Sequence, residues 1–99
     1  MKLTGKLGRN GGSRKIKDDL IVTPLQLRVQ YVKKDGSLDE DIVICDTFGN
    51  INQERLDQAI LSQEIVSVIV KLGVHTSNGR AYQKANVYLP KDFYHATQN

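Results

Sequence analysis

Tryptophan is absent from these 99 residues, cysteine and methionine occur once each, and proline and phenylalanine twice each. One cysteine excludes an intramolecular disulfide and any CxxC or Cys/His zinc array. Cys45 lies in the run Ile42-Val43-Ile44-Cys45, where a buried, unreactive thiol is expected. No stretch approaches the roughly 18 uninterrupted apolar residues of a spanning helix. The opening MKLTGKLGRNGGSRK is basic but lacks the apolar core of a secretory signal, so a cytoplasmic location is expected. His75, His95 and Cys45 show no spacing to each other or to a carboxylate that marks a triad or a metal site. The glycine-rich stretch from Gly8 to Lys15 lacks the Gly-Lys-Ser/Thr of a phosphate-binding loop and does not match GxGxxG. Asp39-Glu40-Asp41 alternates between the two faces of a strand, which suits a solvated edge better than a metal site. No enzyme, cofactor or metal is therefore expected.

What remains is an ordinary folded composition, 39% hydrophobic and 25% charged, with room for one core. Residues 1–99 are read as a single domain, with 1–17 a basic, partly flexible segment and 95–99 a short tail. Charge is unevenly placed although the net value is only +3. Residues 1–34 carry nine Lys/Arg against two Asp, residues 35–64 eight Asp/Glu against one Arg, and residues 65–99 four cations against one Asp. Such a chain can hold a polyanion on one side and repel it on another.

Turn chemistry organises the rest. Asn78-Gly79 tolerates positive φ at both central positions of a two-residue hairpin. That turn sets His75 opposite Tyr82, Gly73 opposite Lys84, Lys71 opposite Asn86 and Ile69 opposite Tyr88. Alternation then sends Val66, Val68, Val70, Leu72, Val74, Ala85, Val87 and Leu89 inward. The other face is polar and basic, with two tyrosines. Asp35-Gly36, read as a second two-residue turn, puts Lys34 opposite Ser37 and Val29 opposite Ile42. Its apolar face becomes Leu25, Leu27, Val29, Tyr31, Ile42 and Ile44, with Gln26, Arg28, Gln30, Val43 and Cys45 on the other side. Asn50-Ile51-Asn52-Gln53 reads as a capping box, and Leu56, Ala59 and Ile60 follow at helical spacing, predicting one short helix near 51–62. Lys2 to Leu7 alternates as a strand, Gly8 to Ser13 is loop, and Pro24 is expected at a strand start or edge.

Strand, loop, hairpin, helix, hairpin is an all-β plan with one short helix. It predicts a five-stranded Greek-key barrel of the OB type, with small SH3-like barrels and α+β rolls as the competing layouts. On that plan the outward face of the last hairpin, extended by Arg28, is the candidate binding surface. Tyr82 and Tyr88 offer rings for base stacking, and Lys71, Arg80, Lys84 and Arg28 offer charge for phosphates. The same tyrosines can instead brace the sheet through cross-strand pairs. Arg9, Arg14, Lys15 and Lys17 add cations from the acid-free first 17 residues.

LTGKLGRN, IVTPLQLRVQYV, DEDIVICDTFGNINQERLDQAI and EIVSVIVKLGVHTSNGRAYQKANVYL, in that order, resemble the bacterial single-stranded DNA-binding protein family. Its compact members include primosomal replication protein N. The resemblance spans most of residues 1–94. It implies an OB fold that binds single-stranded DNA on its sheet and loops, often as a homodimer or homotetramer; DNA is favoured over RNA as the partner, and the sequence alone leaves that choice open. It places Tyr82, Lys84, Tyr88 and Arg28 on the contacting sheet. Two departures stand out, the missing tryptophan and a final His95-Ala96-Thr97-Gln98-Asn99 without an acidic tail. They point to a protein auxiliary to replication or transfer of a phage, plasmid or conjugative element. The alternative is a protein-interaction module, such as a phage-encoded inhibitor or assembly factor, using the acidic edge from Asp39 to Asp46 or an exposed strand.

Overall fold

The computed structural model describes residues 1–94, with His75, Ser77 and Tyr82 described by their backbone alone. Six strands are present: β1 (Lys2–Arg9), β2 (Arg14–Lys17), β3 (Leu20–Val32), β4 (Leu38–Phe48), β5 (Ile65–Ser77) and β6 (Arg80–Tyr88). One helix, α1 (Gln53–Leu61), joins β4 to β5, and a 3-10 turn (Lys91–Phe93) follows β6. The strand order is β1-β5-β6-β4-β3-β2, and β1 also pairs with β3. Five strands thus close on themselves while β2 hangs on the outside of β3. Antiparallel pairs everywhere except a parallel β4–β6 seam, with the helix between the third and fourth barrel strands, make this an OB fold, as expected.

Closure depends on β1 serving two neighbours. Lys6 to Arg9 pair with Arg28 to Leu25 of β3, and Lys2 to Lys6 pair with Ile69 to Ile65 of β5. The handover falls at Lys6, which pairs with both strands, and at the adjacent Gly5 an added Cβ would run into the Arg28 carbonyl oxygen. Only glycine lets the two backbones pass so closely. The core inside comprises Leu7, Leu25, Leu27, Cys45, Val66, Val68, Val70, Val87 and Leu89, sealed at one end by Ile51, Leu56 and Ala59 and by Phe93.

The helix starts two residues later than its capping box suggests. Ile51 is buried, and the Asn52 N–H donates to the Phe93 carbonyl oxygen at 2.7 Å, which keeps both residues out of the helix. Asn52 is the N-cap, its side chain accepting from the Arg55 N–H. At the other end Gln63 takes a left-handed φ of 54°, and the Gln63 and Glu64 N–H groups return to Ile60 and Ala59.

The last hairpin has the register expected from Asn78-Gly79, with φ of 53° and 76° at those positions and His75 opposite Tyr82. Its inward face is only partly interior, however. Val66, Val68, Val70, Val87 and Leu89 are buried, whereas Leu72 and Val74 are 58% and 74% exposed. Cover from β1 ends where Lys2 meets Ile69, and cover from β4 is limited to the pair Asp46–Asn86, so the hairpin outruns the barrel.

The β3–β4 hairpin departs from expectation by one residue along its whole length. Val29 stands opposite Asp41, not Ile42, and Leu27 opposite Val43. The turn explains the slip. Only Gly36 takes a positive φ (86°), and the Gly36 N–H closes on the Lys33 carbonyl while the Lys33 N–H donates to Ser37. The loop is therefore Lys34-Asp35-Gly36, three residues ending in a left-handed glycine, rather than the two-residue turn. Asp35 locks it by accepting from the Ser37 N–H and hydroxyl at 2.9 and 2.6 Å. A one-residue slip exchanges faces. Val43 and Cys45 turn inward and Ile42 and Ile44 outward, 56% and 53% exposed.

Two smaller departures concern the start of β3. Pro24 lies inside that strand, in the interval between the β2 pairs ending at Val22 and the β1 pairs starting at Leu25. There the missing N–H deprives no neighbouring strand on that side. β2 itself, all four residues exposed, carries no apolar alternation that could have announced it.

Candidate nucleic-acid interface

The barrel wall formed by β5, β6, β4 and β3 gathers four of the ten candidate residues, Lys71, Lys84, Tyr88 and Arg28, on one exterior face. Neighbouring strands lie about 4.8 Å apart, so side chains of one parity form a continuous surface. On β5 and β6, Lys71 stands opposite Asn86 and Ile69 opposite Tyr88. The Lys71 ammonium sits 5.3 Å from the centre of the half-exposed Tyr88 ring, a cation–π contact that holds the ring against the sheet. Across the parallel seam Lys84 bonds Asp46 at 3.1 Å and lies 5.7 Å from the Phe48 ring centre. The surface then continues through Ile44 and Ile42 to Gln26 and Arg28, their direct partners on β3.

Two outward carboxylates of β4 belong to this face, Asp46 and, toward the hairpin end opposite Gln30, Glu40. Asp46, the carboxylate between Phe48 and Ile42, is already paired with Lys84. Arg28 and Lys71 have no carboxylate partner among the described residues. The acidic run sits at the far end of the β3–β4 hairpin. There Asp39 accepts from the Glu40 N–H at 2.8 Å and pairs with Lys33, which together hold its carboxyl below the ordinary range. The phenol of Tyr31 is pushed up, by loss of hydration first and then by Asp39 and Asp41.

Two basic hairpins bracket the face. Arg14, Lys15 and Lys17 on β2 are exposed and have no carboxylate partner among the described residues. Arg14 opposes Val22, which in turn opposes Phe48, so β2 stands beside the Phe48 end. Arg80, opposite Ser77, occupies the tip of the β5–β6 hairpin. Tyr82 stands opposite His75 in the backbone register, and its ring, like His95, lies outside the described residues. Arg9 is placed apart from this group. Its guanidinium bonds Asp57 at 2.7 and 3.1 Å and Gln53 at 2.8 Å, which ties β1 to the helix.

Phe48, Ile42 and Ile44 belong to the face and were not singled out from the sequence. The wrong register hid the two isoleucines, whereas Phe48 becomes a candidate once the even-numbered residues of β4 are known to face outward. Cys45, on the inner side, is buried, and its thiol is pushed up to about 11, by loss of hydration first and by Asp46 second. Among the described residues no group of three or more His, Cys, Asp or Glu could hold a metal ion, and no helix is long and apolar enough to cross a membrane.

No model of a known protein family matches the chain, and no curated protein sequence matches it. Among solved structures, the crystal structure of a small single-stranded DNA-binding protein from Streptomyces coelicolor is similar over 90% of this chain and 86% of that chain, at 11% sequence identity and a TM-score of 0.48.

Proposed function

We propose that this protein binds single-stranded DNA on the β5-β6-β4-β3 exterior, without strong sequence preference and without catalysing a reaction. One observation carries the reading: rings and cations share one wall of an OB barrel on which the intervening carboxylate, Asp46, is already paired with Lys84. Lys71 and Arg28, and Lys84 when a phosphate draws it from Asp46, offset backbone charge. Tyr88 and Phe48 offer faces on which bases stack, worth roughly 1–3 kcal/mol per base. Stacking requires unpaired bases, and every base has a face, which favours single strands over duplex and tolerates any sequence. The proposed footprint extends to Arg80, Arg14, Lys15 and Lys17 on the two bracketing hairpins. An auxiliary role in replication or transfer of a mobile element remains the proposed setting.

The test is a double variant, Tyr88→Ala with Phe48→Ala, titrated against a fluorescent oligo-dT. Loss of the two rings is expected to weaken binding by more than tenfold, from the stacking energies above. Unchanged affinity removes the stacking platform. Parallel titrations with oligo-dU and oligo-U decide DNA against RNA, since the two differ only in the 2′-hydroxyl.

A second reading, a protein-interaction module, is favoured by the exposed Leu38, Ile42 and Ile44 on the acidic hairpin. Salt separates the two: phosphate contacts collapse as ionic strength rises, whereas an apolar strand-pairing interface survives.

A further inference from the structure

We propose that Lys6 and Arg28 form a phosphate-binding pocket at the β1–β3 crossing, which takes a phosphodiester of the bound strand beyond the stacking platform. The inference deepens the single-strand reading and rests on it. Lys6 is the residue at which β1 changes partners, opposite Arg28 on one side and Ile65 on the other. Ahead of Lys6 the chain follows β5 while β3 runs on, and the parting strands leave a depression of about 260 Å³ lined by Thr4, Gly5, Lys6, Arg28, Gln30 and Ile65. Bare backbone at Gly5 contributes to its wall, because a side chain there would meet the Arg28 carbonyl oxygen.

No carboxylate lines this depression. Its polar groups are a guanidinium, an ammonium, an amide and a hydroxyl, a set rich in donors. Two of them are only lightly engaged: the Lys6 ammonium reaches Gln63 Oε1 at 3.4 Å, and the Thr4 hydroxyl meets the Ser67 hydroxyl at 3.1 Å. The Arg28 and Gln30 side chains have no hydrogen-bond partner among the described residues. A planar guanidinium beside an ammonium matches a tetrahedral anion with several oxygens, the guanidinium giving two parallel bonds and the ammonium a point charge.

Position ties the pocket to the platform. Arg28 neighbours Ile42 on β4 and Lys6 on β1, three interstrand spacings across from β6, about 14 Å, and four residues along β4 from the Asp46–Asn86 pair, about 13 Å, so a bound strand reaches the pocket on an oblique path. The pocket therefore lengthens the path of a bound strand around the barrel instead of creating a separate site.

Wild type, Lys6→Gln, Lys6→Arg and Tyr88→Ala are compared by anisotropy with a 20-nucleotide oligo-dT over a salt series, their folding checked by thermal melting. Lys6→Gln is expected to reduce the slope of log affinity against log salt by about 0.7, one phosphate contact, and Lys6→Arg to restore it. Tyr88→Ala is expected to lower affinity with the slope unchanged. Sodium phosphate titrated at constant ionic strength is expected to shift the backbone amide resonances of Lys6 and Arg28. A folded Lys6→Gln protein with the wild-type slope overturns the pocket while leaving the platform standing. Amide shifts with free phosphate but no change in slope also overturn it, assigning the site to the free anion. If wild type fails to bind oligo-dT at all, it is the single-strand reading that falls.

Discussion

Gly5 shows how much a single residue can carry. Its missing side chain is what allows β1 to pass from β3 to β5, because a Cβ would strike the Arg28 carbonyl oxygen and crowd Leu27. Gly5→Ala is predicted to cost about 1–3 kcal/mol, the usual range for overpacking, read as a lower urea midpoint; an unchanged midpoint contradicts the tight crossing. Cys45 is the complementary case, a thiol held inside. Its ionisation is pushed up to about 11 from 9.0. The unfolded chain ionises first, so this residue's contribution is present below about pH 9 and lost as pH rises through 11. Thiol reagent at pH 8 is predicted to leave the native protein unlabelled and to react once urea unfolds it. Rapid native labelling contradicts its burial.

Elements are joined chiefly through Arg55. Its guanidinium grips Glu64 with two bonds of 3.1 and 2.7 Å, bonds Asp92 at 2.8 Å, and lies 4.3 Å from the Phe93 ring centre. Helix, start of β5 and closing turn are thereby held at one point. The bonds to Glu64 first, and to Asp92 second, raise the Arg55 pKa, and the same guanidinium lowers that of Glu64. A lowered carboxyl stabilises above its unfolded value, 4.5, and loses that contribution as pH falls through the folded value. Glu64→Gln is predicted to lower Tm relative to wild type at pH 6, with the gap narrowing as pH falls through the lowered folded value of Glu64; a constant gap contradicts the linkage. The Asp35-Gly36 turn is testable in the same way. Gly36→Ala places a side chain at φ 86° and is predicted to cost about 1 kcal/mol.

At this scale the limits of sequence reading are physical. Asn78-Gly79 has two residues suited to positive φ, so loop length and register followed directly. Asp35-Gly36 suits both a two-residue loop and a three-residue one ending in glycine. The choice falls to Ser37, whose N–H and hydroxyl both reach Asp35. That contact turned Ile42 and Ile44 outward, and so altered the candidate site more than any other misreading. Strand pattern located Lys71, Lys84, Tyr88 and Arg28 on a common face, but it could not reveal that the hairpin outruns the barrel at Leu72 and Val74. Nor could it pair Arg9 with a helix 48 residues away in sequence.

The whole molecule is a closed barrel whose acidic segment and basic hairpins are kept apart. The acidic β3–β4 tip lies at the end of one arm, while β2 and the β5–β6 tip flank the wall bearing Tyr88, Phe48, Lys71 and Arg28. A polyanion is predicted to approach on the side of these basic hairpins. The most direct measurement is an equilibrium titration of the protein with fluorescent oligo-dT and with duplex DNA of equal length, at low and at near-physiological salt. Saturable binding of the single strand, weaker binding of the duplex and a steep loss of affinity with salt are predicted. Equal affinity for the duplex, or no saturable single-strand binding at low salt, contradicts the proposed function.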